Sequence, residues 1–472
     1  MTHKKSQISG FRSGLCRTCI LIAILCGGYS SLQAETLQSA LDHAYLNNAN
    51  LNAQRAATRA ADENVPKATA GYRPVVSITG QYGAQNAKST YDQGYGLQNI
   101  VTNTQPGSLG LSVQQNIWNG NRTYNSVAQA QSGVLAQRET LRNAEQNMFQ
   151  DGITYYMNVL RDTAIYNLQK SNIIVLNEQL RQTTDRFKIG EVTQTDVAQA
   201  EAGLAKGRSD QLVAESNLKT SMANFHLIIG RDPVKLEPVQ PAHIGLPKSL
   251  DEALHIAQAE HPAIIAALNG VDAANLTVKI NEGALYPTVN LVGQLQKSYN
   301  SYDNISGSRS WVASIVGQIS VPLYDGGTTP ATIRQAREMA AQQHYQADYQ
   351  REQVRAAVVS AWGIVSNSKA IVEAAQAQVA AAETALKGTR DEAHVGLRTT
   401  LDVLNAQQTL LNARVSLVSA QRDQIVASYA MLAAIGRLST VNLALNAKRY
   451  NPEHHYDQVK NTWYGLRMTY ED

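Results

Sequence analysis

The chain has 472 residues, a net charge of +3 and 6% aromatic residues, with 21 Tyr against 4 Phe and 4 Trp. So small a net charge excludes a general polyanion-binding surface, and no nucleic-acid partner is expected. The excess of Tyr over Phe suits surfaces with one wet and one apolar side, such as a membrane interface.

Residues 1–34 read as an export signal. Lys4, Lys5, Arg12 and Arg17 supply a positive start, Cys19–Cys26 a short apolar run, and Ala34 a cleavage site before Glu35. The alternative, a transmembrane anchor, needs roughly 20 apolar residues. All three cysteines, Cys16, Cys19 and Cys26, lie in this segment. The processed chain therefore offers no disulfide, Cys-ligated metal or Cys nucleophile. No later stretch reads as long and apolar enough for a spanning helix, so membrane entry would have to use strands.

The remainder divides into a first repeat, 35–235, a Pro-containing linker, 236–247, a second repeat, 248–440, and a polar tail, 441–472. Thr36–Leu51 aligns with Ser249–Ile264 at a shift of 213, and Ile117–Gly120 aligns with Leu323–Gly326 at a shift of 206. The smaller shift then holds through Gly190/Gly396, Asp196/Asp402 and Gly230/Gly436. A constant shift over such a length marks a duplication.

Each repeat opens with a helix followed by two strands. The strands are Val75–Asn86 and Leu109–Trp118, then Thr288–Gln296 and Trp311–Val321, with loops between them. Val76 and Ile78 alternate with Ser77 and Thr79, and Leu109 and Leu111 with Ser112 and Gln114. None of the four spans holds a charge. Half of a soluble β-sandwich reads this way, and so does a barrel with lipid outside and water inside. Spanning length and aromatic placement favour the barrel, with Tyr72, Trp118, Tyr286, Trp311 and Tyr324 as membrane-interface girdles. Four strands cannot close a barrel and open edges cannot face lipid, so other copies must contribute. Three copies give twelve strands and a water-filled lumen, whereas two would give a side-chain-filled interior.

Very long helices follow: Tyr124–Lys188 with a return over Thr193–Ile229, then Ala331–His394 with a return over Thr399–Ile435. Each long segment spans roughly 100 Å at 1.5 Å per residue. Val134, Leu141, Met148 and Tyr155 are seven apart, as are Leu404, Leu411, Val418, Ile425 and Leu432. A seven-residue period specifies a left-handed coiled coil, which a plain stalk would share. Gly190 and Gly396 fit the C-terminal turns. Thr193 with Asp196, and Thr399 with Asp402, have capping-box spacing.

In their duplicated order, these segments resemble the TolC family of outer-membrane efflux and secretion channels. The motifs are the strand entries YRPVVS (72–77) and LYPTVN (285–290), the exits IWNG (117–120) and LYDGG (323–327), and the turns RFKIGEVTQTDVAQA (186–200) and EAHVGLRTTLDVLNAQ (392–407). The resemblance covers nearly all of Glu35–Leu438. It implies a membrane α+β fold: a trimeric twelve-stranded β-barrel, four strands per chain, continued into a twelve-helix α-barrel of coiled-coil hairpins across the periplasm. It also implies a passive exit duct in the outer membrane of a Gram-negative bacterium. A periplasmic adaptor (membrane fusion) protein and an inner-membrane pump of RND or ABC type would open its tip. A trimeric surface stalk or adhesin and a free-standing porin are the alternatives.

Carried onto this chain, Thr195 and Asp196 match an inter-subunit constraint of the first hairpin. Arg398 matches the arginine that holds the tip closed, and Asp402 an aspartate lining the constriction, where three copies would attract cations. Asn405 stands where a second aspartate is expected, and Ala393 where a constraint tyrosine is. Gly190 and Gly396 would also leave bare surface for the adaptor. Plain helix capping by the two aspartates, and a solvated role for Arg398, explain the same residues without a gate. No phosphate loop, GxSxG or HExxH occurs, and no enzyme activity, cofactor or metal site is expected.

Overall fold

The computed structural model describes residues 35–92, 94, 96–242, 245–302 and 305–466. The expected export signal and the last six residues of the tail lie outside this range.

The chain opens with α1 (Leu37–Asn47), α2 (Ala49–Asp62) and α3 (Asn64–Thr69), then β1 (Val75–Tyr82), β2 (Gln85–Asp92) and β3 (Leu97–Trp118). The first long hairpin is α4 (Arg122–Lys188) and α5 (Gln194–Ile229). The same order returns as α6 (Leu250–Glu260), α7 (Pro262–Glu282), β4 (Thr288–Tyr302), β5 (Ile305–Ser320), α8 (Thr328–His394) and α9 (Thr400–Ala434), with α10 (Pro452–Val459) in the tail.

The strands form one antiparallel sheet in the order β1-β3-β4-β5, with β2 also pairing β3. β1 and β2 act as one strand broken at Gly83–Ala84, and Gly83 N–H still donates to Pro106 O at 2.9 Å. The sheet is therefore four strands wide. Its register aligns the alternation across strands. Ile78, Leu111, Leu295 and Ala313 form one row, and Ser77, Ser112, Gln294 and Ser314 form a row on the opposite face. Among the described residues no strand side chain is buried. Ile78 is 73% and Ile315 80% exposed, a placement that water penalises and lipid does not.

The strands are longer than the alternation implied. Residues read as loop, 87–92 and 97–108, and 297–302 and 305–310, are largely in the sheet. Their pairing rests on backbone hydrogen bonds, which polar and charged side chains such as Lys88 and Arg309 do not prevent. Trp311 consequently lies inside β5 and not at its start.

Tyr45, Phe149, Ile153, Tyr156, Phe225, Ile229, Met431 and Ile435 form the main core, midway along the long helices. Tyr45 stacks on Phe149 at 5.8 Å. The Tyr156 hydroxyl lies 2.7 Å from Glu35 O and 2.9 Å from Glu237 O, tying the segment before α1 to the linker. Above this level α7 lies between α4 and α8. Below it α9 takes that role and α5 packs on α4, so each 67-residue helix runs past several shorter ones. Of the nine heptad positions, Val134, Leu141, Met148, Leu411, Ile425 and Leu432 are buried, and Tyr155, Leu404 and Val418 are half-buried.

One expectation is corrected. The stretch Leu250–Leu285 does reach a mean hydropathy of 1.3 over 18 residues, enough by composition for a membrane span. It is not one helix, however, because His261 takes an extended conformation between α6 and α7. The polar tail runs along the outside of the helices. His455 Nδ1 on α10 lies 3.1 Å from Oδ2 of the fully buried Asp62 on α2.

Candidate functional site

The two helical turns, 189–193 and 395–399, are built alike. The Gly190 N–H donates to Phe187 O (3.0 Å) and the Glu191 N–H to Arg186 O (2.9 Å). The Gly396 N–H donates to Ala393 O (3.3 Å) and the Leu397 N–H to Glu392 O (2.9 Å). Both are Schellman ends, which satisfy the last helical carbonyls. Gly190 and Gly396 have φ of 80° and 82°. An added Cβ would meet open space at either, so backbone conformation and not crowding selects glycine.

The return helices begin with complete capping boxes. Asp196 Oδ2 accepts from Thr193 N–H (2.9 Å) and Oγ1 (2.7 Å), while Thr193 Oγ1 accepts from Asp196 N–H (3.3 Å). Asp402 Oδ2 accepts from Thr399 N–H (3.0 Å) and Oγ1 (2.8 Å), with the reciprocal bond at 3.2 Å. The Thr193 hydroxyl and N–H, then the Thr400 hydroxyl, hold the Asp196 carboxyl below its ordinary range. The Thr399 N–H and hydroxyl, then Arg398, do the same for Asp402.

Arg398 Nε donates to Glu392 Oε2 at 2.8 Å, and this bond raises its already high pKa. The first tip has its own pair, Arg186 Nε to Glu191 Oε2 at 2.9 Å. Thr195 and Asn405 present exposed side chains. Ala393 packs on the small core of Ala382, Leu386, Val403, Leu410 and Ala413. The structure thus brings Asp196 to Thr400, and Arg398 to Glu392 and Asp402. It leaves the Thr195 and Asn405 side chains exposed on the single chain.

Sequence reasoning missed Thr400, Glu392 and the Arg186–Glu191 pair. The duplication held a signal only for Arg186 and Glu392, which fall on each other at the 206 shift; Thr400 falls on Gln194 and Glu191 on Leu397, so the shift points to neither. Among the described residues no three His, Cys, Asp or Glu side chains stand close enough to hold a metal ion.

The aromatic positions occupy two levels of the sheet. Tyr72, Trp118, Tyr286 and Tyr324 lie where strands meet helices, Trp118 edge-on to Tyr286 at 6.3 Å. Trp311 pairs with Lys297 across the sheet, the ammonium 5.2 Å from its ring centre. Trp118 is level with Val289, so Val289–Lys297, nine residues, spans the interval on β4. Between these levels the strands carry no charge. That matches the height of a tilted membrane-spanning strand.

The family model described as "Outer membrane efflux protein" matches residues 40–231 and 253–437. The outer membrane efflux protein BepC of Brucella suis is 39% identical over 459 residues, covering 96% of this chain and 97% of that protein. The outer membrane protein TolC of Escherichia coli is 26% identical over 444 residues, covering 90% of this chain and 88% of that one. The crystal structure of the Campylobacter jejuni CmeC outer membrane channel superposes with a TM-score of 0.75 at 16% identity, covering 90% and 89% of the two chains. With the matched residues taking in both tips and most of the sheet, the chain belongs to the outer membrane efflux protein family.

Proposed function

We propose that three copies of this outer-membrane efflux duct close a twelve-stranded barrel, and that their hairpins close a twelve-helix tunnel reaching into the periplasm. The observation that carries this is the sheet itself: an interval of nine residues on β4, uncharged up to Lys297 at its outer level, with exposed apolar rows, flanked by edges of β1/β2 and β5 that have no partner among the described residues. Edges of this kind cannot stay open in lipid.

In this reading the tips form the periplasmic aperture. Arg398 and Asp402 face its axis with Thr195, Asp196 and Asn405. Capping and gating coexist in the aspartates, because a carboxylate that accepts from the helix N-terminus keeps its charge. Gly190 and Gly396 form the bare turns that a periplasmic adaptor approaches, and an inner-membrane pump, of RND or ABC type, supplies the energy. Tyr72, Trp118, Tyr286 and Tyr324 sit at the periplasmic leaflet and Trp311 at the outer one. Members of this family are channels, and no catalytic role is proposed. The mass of the detergent-solubilised particle and its conductance in planar bilayers test the reading. A trimer with a small resting conductance is expected; a chain that stays monomeric and soluble without detergent overturns it.

A further inference from the structure

The last described residues of the tail carry a surface that the duct leaves unused. α10 is clasped to the helical wall through His455 and Asp62, and through Arg138 of α4. Arg138 lies 3.5 Å from Glu453, with its guanidinium 5.0 Å from the Tyr456 ring centre. The chain then reaches Arg73, two residues before β1. Arg73 Nη1 donates to Thr462 O at 2.7 Å, and its guanidinium carbon lies 4.8 Å over the Trp463 ring. Trp463 is thereby fixed next to the Tyr72 level, at the foot of the sheet.

Although held in place, this segment is not covered. Trp463 is 72% exposed, Tyr464 97%, and Leu466 fully. With Lys67, Arg73 and Glu63 they line an open groove of about 670 Å³. Two cations and one carboxylate leave its rim net positive. Val75 and Val76, also exposed, begin β1 next to Arg73 and carry the apolar surface upward. Water gives nothing for presenting an indole, a phenol and a leucine within four residues. A bilayer boundary does: such rings favour the headgroup level, and basic side chains meet phosphates there.

We infer that residues 462–466 form an anchor for the periplasmic leaflet. Trp463, Tyr464 and Leu466 enter the headgroup–acyl boundary, and Lys67 and Arg73 face phospholipid phosphates. The inference rests on the sheet being the lipid-embedded part of the proposed duct.

The test uses the full-length protein in phospholipid vesicles whose acyl chains are brominated near the headgroup, where bromine quenches nearby tryptophan. The chain has four tryptophans, Trp118, Trp311, Trp362 and Trp463, of which the sheet pair and Trp463 face lipid in this reading. Trp463→Phe is expected to remove about a third of the lipid-quenched emission, on the expectation that indoles at the two interfaces contribute alike. The anchor is overturned if this variant leaves the lipid-quenched signal unchanged while Trp118 and Trp311 remain quenched. It is overturned equally if the lost emission was quenched by aqueous iodide, or by neither agent, as at a contact between copies. If no tryptophan responds to brominated lipid, the sheet is not in the membrane and the duct reading falls with the anchor. In a second arm, brominated phosphatidylglycerol is a minor component of zwitterionic vesicles. Lys67→Ser is expected to lower the excess quenching of Trp463, and equal quenching would remove the charged contact.

Discussion

Arg186 and Glu392 occupy equivalent positions of the two repeats, carry opposite charges, and each holds an oppositely charged partner in its own turn: Glu191 at 2.9 Å and Arg398 at 2.8 Å. The duplication preserved the geometry of the tip and reversed the sign of this ion pair, while Asp196 and Asp402 stayed acidic in both. Arg398 is consequently held by its own hairpin before any neighbouring copy is met. Arg398→Ser is expected to raise single-channel conductance several-fold in planar bilayers if the tip is latched there. Glu392→Gln is expected to raise it less, because it frees the arginine without removing it. Unchanged conductance in both would remove Arg398 from the gate.

Asp402 couples a cap to a charge, and two substitutions separate them. Asp402→Asn keeps an acceptor for the Thr399 N–H and removes the charge. It is expected to lower cation selectivity, read as reversal potential in a salt gradient, while the first turn of α9 stays protected from hydrogen exchange. Thr399→Ala removes half of the capping box, at about 1 kcal/mol of local stability, and is expected to increase exchange in that turn with selectivity kept. The pKa of Asp402 is depressed in the folded chain. Its stabilising contribution is therefore present above the unfolded carboxylate pKa and is lost only as pH falls through the lower folded value. Selectivity should accordingly persist at pH 4.

His261 supplies a pH dependence of opposite cause. Burial, then Arg142, lowers its pKa to about 4 from 6.5. The ring is neutral in the folded chain and accepts from the Ala263 N–H at 3.2 Å through Nδ1. Below pH 6.5 the unfolded chain takes up the proton first, so stability falls from about pH 6.5 to pH 4 and then levels off. His261→Asn, which keeps an acceptor for the helix start, is expected to flatten denaturation midpoints across that window. A slope as steep as the wild type's would remove His261 as its source.

Gly190 allows conformation and contact to be tested apart. Gly190→Ala meets no neighbour but is strained at positive φ, at a cost of about 1–2 kcal/mol. Asn tolerates that conformation better, so Gly190→Asn should unfold close to the wild-type temperature while adding a side chain to the tip. If the adaptor packs on bare backbone there, site-specific cross-linking to it should fall several-fold in Gly190→Asn. Undiminished cross-linking would move the adaptor contact elsewhere.

The long helices were legible almost to the residue, since a heptad pattern, a turn glycine and a Thr-x-x-Asp start are local signals. α5 starts at Gln194 after its Thr193 cap, and α9 at Thr400 after Thr399. Strand ends were less legible. Alternation reports burial or lipid contact and falls silent at Lys297 and Arg309, where the sheet continues through backbone pairing and through cation–ring contacts with Trp311 and Tyr299 across the strands. The tail showed no period, because its order comes from contacts distant in sequence: His455 with the buried Asp62, 393 positions apart, and Glu453 and Thr462 with Arg138 and Arg73. Across the tip, residue types were visible but their meetings were not. Asp196 with Thr400 depends on how two hairpins pack.

β3 runs for 22 residues, roughly 70 Å of extended chain, about twice what crossing the bilayer requires. In the proposed duct this surplus stands above Trp311, with Leu97, Ile100 and Val101 exposed among polar residues. A molecule leaving such a duct is released clear of the headgroups, with farther to travel before it can dissolve into the bilayer again.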